Sequence, residues 1–224
     1  IGRRPGIHNY HNFAVLPRFG LGWFENWIDK KLLNATKLFI SVSEACSMSL
    51  HKRKVFNNLL QNRYIYNGVV VQDNFPINTF DLRKELNIGP NPLCLMLGNY
   101  EPRKGHKFIF DVFKEVIKDL PDAHLVTCGG GTDNEFAEVT RLKNQISPSN
   151  QIHLLGFIPD GASLISQADL LLIGSQEFES FGLTAIEAMV RGVPVISTDI
   201  GGLPEVIGQD ESCGFIVSHL DIHK

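Results

Sequence analysis

The chain is poor in several things that usually announce a function. It has 4 cysteines in 224 residues, Cys46, Cys94, Cys128 and Cys213, far apart and with no C-x-x-C pair. That spacing suggests neither a disulfide framework nor a zinc site. Three of the four lie beside apolar runs and read as buried thiols of a reduced, cytoplasmic compartment. No apolar run approaches the roughly 20 residues that a membrane-spanning helix needs. A net charge of −3 argues against a nucleic-acid partner. The histidines show no metal-ligand spacing, so no metal site is expected. No G-x-G-x-x-G follows a strand pattern, which argues against a dinucleotide dehydrogenase. No stretch repeats and none is of low complexity. The opening Ile1-Gly-Arg-Arg-Pro5 lacks the apolar core of a signal peptide.

What is present is an alternation of buried strands and helices. The mix of 43% hydrophobic and 20% charged residues is that of an ordinary globular protein of one or two domains. Short apolar runs at Leu93–Leu97, His124–Cys128, Ile152–Leu155, Leu170–Ile173 and Val193–Ser197 read as strands. Helical patterns at Phe108–Leu120, Asp133–Gln145 and Gly161–Gln167 separate them. This βαβ grammar predicts an α/β fold, a Rossmann-like parallel sheet with helices on both faces. Upstream, Lys37–Val42 reads as a strand and Ala45–His51 as a helix that Ser43-Glu44 caps. Tyr64–Tyr66 reads as a short strand closed by Asn67-Gly68. Val69–Pro92, with a short helix at Thr79–Leu86, reads as a linker. Gly22–Leu33 is an amphipathic helix with Trp23, Phe24, Trp27, Ile28 and Leu32 on one face. It reads as packed on a further domain, or alternatively as a peripheral membrane contact.

The most informative stretch is residues 176–207, QEFESFGLTAIEAMVRGVPVISTDIGGLPEVI. Two acids, Glu177 and Glu179, precede Phe181-Gly182 and a helix that Gly192 stops. Leu183, Ile186, Met189 and Val190 mark its apolar face, and Thr184, Glu187 and Arg191 share another. In parallel sheets ligands bind beyond the carboxyl ends of the strands, where helix N-termini point. The amides of Ser180–Thr184 are therefore placed for an anion such as a diphosphate, and Gly182 permits close approach. Glu187, one turn further in, is placed for hydroxyls. Phosphate donors flanked by hydroxyl-binding acids suit a nucleotide-sugar.

Glu179-Ser-Phe-Gly-Leu-Thr-Ala-Ile-Glu187 resembles the E-x7-E motif of family 4 retaining glycosyltransferases. Gly192-Val-Pro-Val-Ile-Ser-Thr and Gly201-Gly202-Leu-Pro-Glu205 continue that family's pattern. The resemblance implies a GT-B fold of two Rossmann-like domains, of which this chain holds mainly the C-terminal half. Residues 1–72 would be a remnant of the acceptor-side domain and 73–92 the linker. Residues 93–224 would be the donor-binding domain, truncated at its end. Both ends read as cut, so a fragment or a shortened relative is expected.

The resemblance also implies roles. Gly98-Asn-Tyr-Glu-Pro-Arg-Lys104-Gly105 resembles the family's G-R-x-x-x-x-K-G, with Lys104 on the diphosphate. Asn99 stands where the family has arginine, which leaves Arg103 as the second cation. Gly129-Gly130-Gly131 falls at the family's glycine turn, and Gly156-Phe157-Ile-Pro159-Asp160 at its nucleobase loop. Phe181, Gly182 and Leu183 lie at the amide cradle, Glu179 on hydroxyls of the donor sugar, and Glu187 on the ribose. Ile7-His8-Asn9-Tyr10 resembles a strand that places a histidine beside the transferred sugar. The catalytic set is then Lys104, Glu179 and His8. A nucleoside-diphosphate-sugar is the donor, a glycan or lipid-linked molecule the acceptor, and no cofactor or metal is required.

Read without the family, the same residues have plainer accounts. His8 is a surface histidine, Glu187 an exposed partner of Arg191, Lys104 a solvated loop cation, and the glycines a sharp turn. Glu205 stabilises the short helix that holds it. Two rival functions remain, a sugar-nucleotide epimerase of the same fold and a non-catalytic nucleotide-sugar-binding module.

Overall fold

A computed structural model describes residues 6–10, 27, 36–50, 61–71, 75, 78–146, 149–208 and 210–221. Two parallel sheets organise them. The smaller consists of β1 (Gly6–Tyr10), β2 (Thr36–Ser41) and β3 (Gln61–Tyr64), in that order, with α1 (Glu44–Leu50) after β2. His8 is the third residue of β1 and pairs in register with Phe39; its side chain lies outside the description. So does the amphipathic segment Gly22–Leu33, apart from Trp27, an exposed helical residue.

The larger sheet has strands β4 (Leu93–Leu97), β5 (His124–Cys128), β6 (Ile152–Leu154), β7 (Leu170–Ile173), β8 (Val195–Thr198) and β9 (Gly214–Val217). Their spatial order is β6-β5-β4-β7-β8-β9, and every pair is parallel. The chain builds outward from β4 in one direction, then returns to β7 and builds in the other. The crevice between β4 and β7 is the topological switch point, where open α/β sheets take their ligands.

Alternation along the strands sends side chains to two cores. Leu93, Leu95, Val126 and Leu171 pack on one face, with α5 (Leu183–Met189), α6 (Leu203–Ile207) and the 3-10 helix Gly161–Gln167. Met96 and Leu125 pack on the other, with α3 (His106–Asp119) and α4 (Asp133–Asn144). Helices thus cover both faces, as the strand–helix alternation predicts. Leu82 and Ile88, inside the stretch read as a linker, are fully buried in the first core.

Several boundaries move for identifiable reasons. The helix expected at Thr79–Leu86 shrinks to α2 (Leu82–Glu85), because the Asp81 carboxylate accepts the Arg83 and Lys84 amides and fixes the start. Gly161–Gln167 closes as a 3-10 helix rather than an α-helix. β8 begins at Val195, and the Pro194 carbonyl accepts the Leu171 amide. The apolar stripe of α5 is offset: Ala185 and Ala188 are its buried positions, while Leu183 is exposed. Among the described residues no helix is long and apolar enough to cross a membrane. All four cysteines are free thiols; Cys46 and Cys128 are buried, Cys94 is partly so and Cys213 is exposed.

Three histidines tie stability to pH. At the edge opposite the switch point, His124 Nδ1 and His153 Nε2 are 3.0 Å apart. Burial pushes both rings down, His153 to about 4. His106, buried against Tyr100 and Phe110, is also pushed down by burial to about 4. An unfolded histidine titrates near 6.5. Unfolding therefore takes up protons between about pH 4 and 6.5, and stability falls as the pH drops through that window. The raised Glu187 carboxyl acts with the opposite sign. Urea midpoints should be lower at pH 5 than at pH 7, and His153→Gln should flatten the difference. Equal midpoints for the unaltered chain would contradict this.

Candidate functional site

The loops that leave β4 and β7 meet above the switch point. Beyond β4 the chain turns at Gly98 and enters a 3-10 helix, Pro102–Lys104. Gly105 then adopts φ +76°, and a Cβ there would lie 1.8 Å from the Gly174 carbonyl oxygen. Only glycine lets the two strand ends come this close. Gly98 sits under the Lys104 stem, where an added Cβ would be 3.6 Å from Cδ. The Arg103 carbonyl accepts the Gln176 amide at 2.8 Å and fastens the loops together.

This closeness pairs two residues 75 positions apart. Lys104 Nζ donates to Glu179 Oε2 at 2.6 Å, and Ser175 Oγ donates to the same oxygen at 3.1 Å. The two charged side chains are only 21% and 16% exposed, so they are much less screened than a surface pair. Thr198 Oγ1 holds the Ser175 carbonyl at 2.6 Å.

Lys104 and Glu179 open onto a cavity of about 290 Å³, together with Arg103, Phe178, Gly182 and Thr184. Val42 and Asn67 close it from the smaller sheet's side. Gly182 has φ +99°, and a Cβ would meet Leu203 at 2.7 Å. The amides of Leu183 and Thr184 lie in the first turn of α5, where no intrahelical acceptor exists. Arg103 is engaged already: its Nε donates to Glu101, and its guanidinium lies 5.0 Å from the Phe178 ring centroid. Asn99 Nδ2 donates to Glu101 at 3.3 Å.

A second group lines the neighbouring strand ends. Gly129 accepts no side chain, since a Cβ would sit 1.9 Å from the Gly98 carbonyl oxygen. Its amide donates to the Gly156 carbonyl at 2.9 Å. Phe157 is 75% exposed, and a Cβ on Gly130 would be 4.0 Å from its ring. The Tyr100 hydroxyl accepts the Gly156 amide at 3.1 Å, and Asn78 Nδ2 donates to the Asp160 carbonyl at 3.3 Å. The outcome is an exposed ring on a tied-down shelf beside the cavity.

Glu187 does not line that cavity; it lies one turn into α5 and is partly buried. Burial pushes its carboxyl up, against the opposing pull of the Arg191 charge and with a smaller push from Asp160. The expected pairing with Arg191 takes another form. Arg191 Nη1 donates to the Glu187 backbone carbonyl at 2.7 Å, and its guanidinium lies 4.3 Å over the Phe75 ring. No Glu187–Arg191 ion pair forms among the described residues.

The structure thus gathers Gly98, Arg103, Lys104, Glu179, Phe181, Gly182 and Leu183 around one cleft. Gly130 and Phe157 are beside it, and Glu187 is a turn deeper. Phe181 lines the cavity, while its ring is buried with Val42 and Cys46 and stacks on Tyr66 at 5.8 Å. Glu205 stands in the first turn of its own helix, and it also reaches beyond that helix. Its carboxylate accepts the Glu44 and Ala45 amides of α1. Ser43 caps α1 by accepting the Cys46 amide at 3.0 Å, as expected, and also donates to the Ser180 carbonyl. Ser175 and Thr198 carry no sequence signal beyond following or ending a strand.

A six-stranded parallel sheet with this switch-point cleft is the architecture of the GT-B glycosyltransferases. The chain superposes on Anabaena HepE, solved in complex with UDP-glucose, with a TM-score of 0.81 at 22% identity, over 96% of this chain and 58% of that one. It also superposes on sucrose-phosphate synthase from Thermosynechococcus elongatus, with a TM-score of 0.76 at 25% identity, over 96% of this chain and 55% of that one.

The chain belongs to the family "Glycosyl transferases group 1", whose model matches residues 78–223. It is 32% identical over 144 residues to the N-acetyl-alpha-D-glucosaminyl L-malate synthase of Bacillus anthracis, covering 64% of this chain and 37% of that protein. It is 28% identical over 223 residues to an uncharacterized glycosyltransferase of Methanocaldococcus jannaschii, covering 92% of this chain and 55% of that protein. It therefore spans between about a third and just over half of these relatives.

Proposed function

We propose that this chain contributes the donor site of a retaining glycosyltransferase. The enzyme moves a sugar from a nucleoside-diphosphate-sugar to a hydroxyl of a glycan or lipid-linked acceptor. The carrying observation is the convergence of Lys104, Glu179 and the Gly182–Thr184 backbone on one cavity at the switch point. A lysine and free amides neutralise a diphosphate, and a carboxylate accepts sugar hydroxyls. Because Lys104 and the amides supply the charge neutralisation, this reading calls for no metal or cofactor. Phe157 offers its exposed face to the base, and Glu187, one turn into α5, takes the ribose. On this reading the smaller sheet is what remains of the acceptor-side domain, residues 1–72, and carries His8. Residues 73–92 link it to the donor domain, 93–224, and α2 packs the end of that link into the donor domain.

As the sugar–oxygen bond breaks, negative charge grows on the departing diphosphate, where Lys104 and the amides are already aimed. Glu179 meets Lys104 and Ser175 through one oxygen, Oε2, and its other oxygen accepts from the sugar.

The direct test is a thermal-shift panel of UDP-, GDP- and ADP-linked sugars. A ligand bound only by the folded state stabilises it by about 2.7 kcal/mol at 100 times its Kd. One base should raise the midpoint by several degrees, and Glu187→Ala should abolish most of the rise. A flat response to all three would defeat the donor assignment.

A further inference from the structure

Behind the cavity wall, the smaller sheet holds the donor loop through its own helix. Glu205 Oε2 accepts the Glu44 amide and Oε1 the Ala45 amide, each at 2.7 Å. Those amides open α1, so they have no acceptor within the helix. The bonds are charge-assisted and use both carboxylate oxygens, which fixes geometry as well as strength. The Tyr66 phenol faces the same carboxylate. One residue earlier, Ser43 Oγ donates to the Ser180 carbonyl at 2.7 Å. Three residues before Glu205, the Gly202 amide donates to the Glu179 carbonyl at 2.9 Å. A Cβ on Gly202 would meet the Ser180 carbonyl oxygen at 2.8 Å and Ser43 Cβ at 3.1 Å. A Cβ on Gly201 would meet the Glu179 carbonyl oxygen at 2.1 Å. The Glu179–Gly182 backbone is thus gripped between the start of α1 and the start of α6.

We infer that Glu205 is a positioning residue: by holding the first turn of α1 it fixes the backbone of Ser180–Gly182, and so makes the donor cavity depend on how the two sheets dock. The lever is short. Glu205 sets α1, Ser43 at the start of α1 sets the Ser180 carbonyl, and the next residues are Phe181 and Gly182 of the cavity wall. Phe181, stacked on Tyr66, ties the same wall to the smaller sheet by packing. Coupling of this kind is reciprocal, so a ligand that orders the wall also strengthens the docking of the sheets. The ligand half of this inference rests on the proposed donor site; the mechanical half does not.

The test uses the whole chain with Glu205→Ala and Glu205→Gln, the latter keeping one acceptor oxygen and the side chain's length. Two quantities are read: amide exchange without nucleotide, and the calorimetric affinity for UDP, GDP and ADP. Losing the carboxylate should speed exchange about tenfold or more at Glu44 and Ala45 and also at Ser180–Thr184, with Gln intermediate. Affinity for whichever nucleotide binds should fall about tenfold in the Ala variant and recover in part with Gln. A core variant, Ile152→Val, controls for general destabilisation and should leave both segments as they were. Faster exchange at Glu44 and Ala45 with Ser180–Thr184 unchanged would reduce Glu205 to a local cap and overturn the inference, as would no change at either segment. If the unaltered chain binds none of the three nucleotides, the donor reading fails, while the exchange pattern still decides the coupling.

Discussion

Lys104→Met in the catalytically complete protein is expected to lower the transfer rate by about 10²–10³-fold, the usual loss when one pre-aimed donor to a developing negative charge is removed. Methionine keeps an unbranched stem over Gly98, so the loop should hold its shape; what disappears is the cation. Most of the loss should fall on kcat, because the diphosphate gains charge as its bond to the sugar breaks. A group that bound substrate and transition state alike would raise KM and leave kcat unchanged. In the unliganded site Lys104 is held at 2.6 Å by Glu179. The ammonium has three N–H donors, so on the proposed reading a diphosphate shares Nζ with that carboxylate, and both residues meet the donor through one contact. The two residues should not act independently. Glu179→Gln alone and Lys104→Met alone should each cost activity, and the double variant should cost far less than the two losses combined. Initial rates with whichever donor raises the melting midpoint would measure this. A kcat within threefold of the unaltered enzyme would remove Lys104 from the chemistry.

The strands and helices of the larger sheet could be read from the sequence because each of its strands is a short apolar run bounded by glycine, proline or polar residues. β4, β5 and β7 fall where the apolar runs place them, since strands covered on both faces are near-continuous apolar runs, interrupted here only by His124 and Thr127 of β5. The Lys104–Gly105 and Gly182 turns were legible for a related reason: a glycine that must take positive φ leaves a mark that no other residue leaves. What stayed hidden were partnerships across the chain. Nothing local distinguishes Glu205 from any acid in a first helical turn, yet its partners are amides some 160 positions away. Phe181 lines the cavity, and nothing local announced that its ring would also stack on Tyr66 of the smaller sheet's side. Of the stripe expected on α5, Ile186 and Met189 pack on the cores, whereas Leu183 is exposed and the closest packing is made by Ala185 and Ala188. Small residues admit close approach while contributing little to a hydrophobic pattern. Arg191 went to the Phe75 ring and to the Glu187 backbone carbonyl rather than to the Glu187 carboxylate, a choice that i, i+4 spacing cannot foresee.

Gly105→Ala should be the most damaging small substitution in the larger sheet. The new methyl group would need a backbone conformation that costs an L-residue roughly 1–2 kcal/mol. It would also lie 1.8 Å from the Gly174 carbonyl oxygen. That obstacle is backbone at the end of β7, so no side chain can rotate away from it. The loops beyond β4 and β7 would have to part, at a cost of typically 1–3 kcal/mol more for forced overpacking. At about 2–4 °C per kcal/mol for a chain of this size, the melting midpoint should drop by roughly 5–15 °C. Gly161→Ala is the matched control: it has neither positive φ nor any atom within 4 Å of the added carbon, so its midpoint should stay close to that of the unaltered chain. Function should fail before the fold does. Lys104 is the residue immediately before the turn, and its bond to Glu179 exists only because the two loops touch. At a temperature where Gly105→Ala is still folded, nucleotide binding should already be weakened, whereas Gly161→Ala should bind as the unaltered chain does. Equal midpoints and equal binding for the two variants would mean that the contact between the loops is looser than 1.8 Å implies, and that the site is assembled by something other than this crossing of backbones.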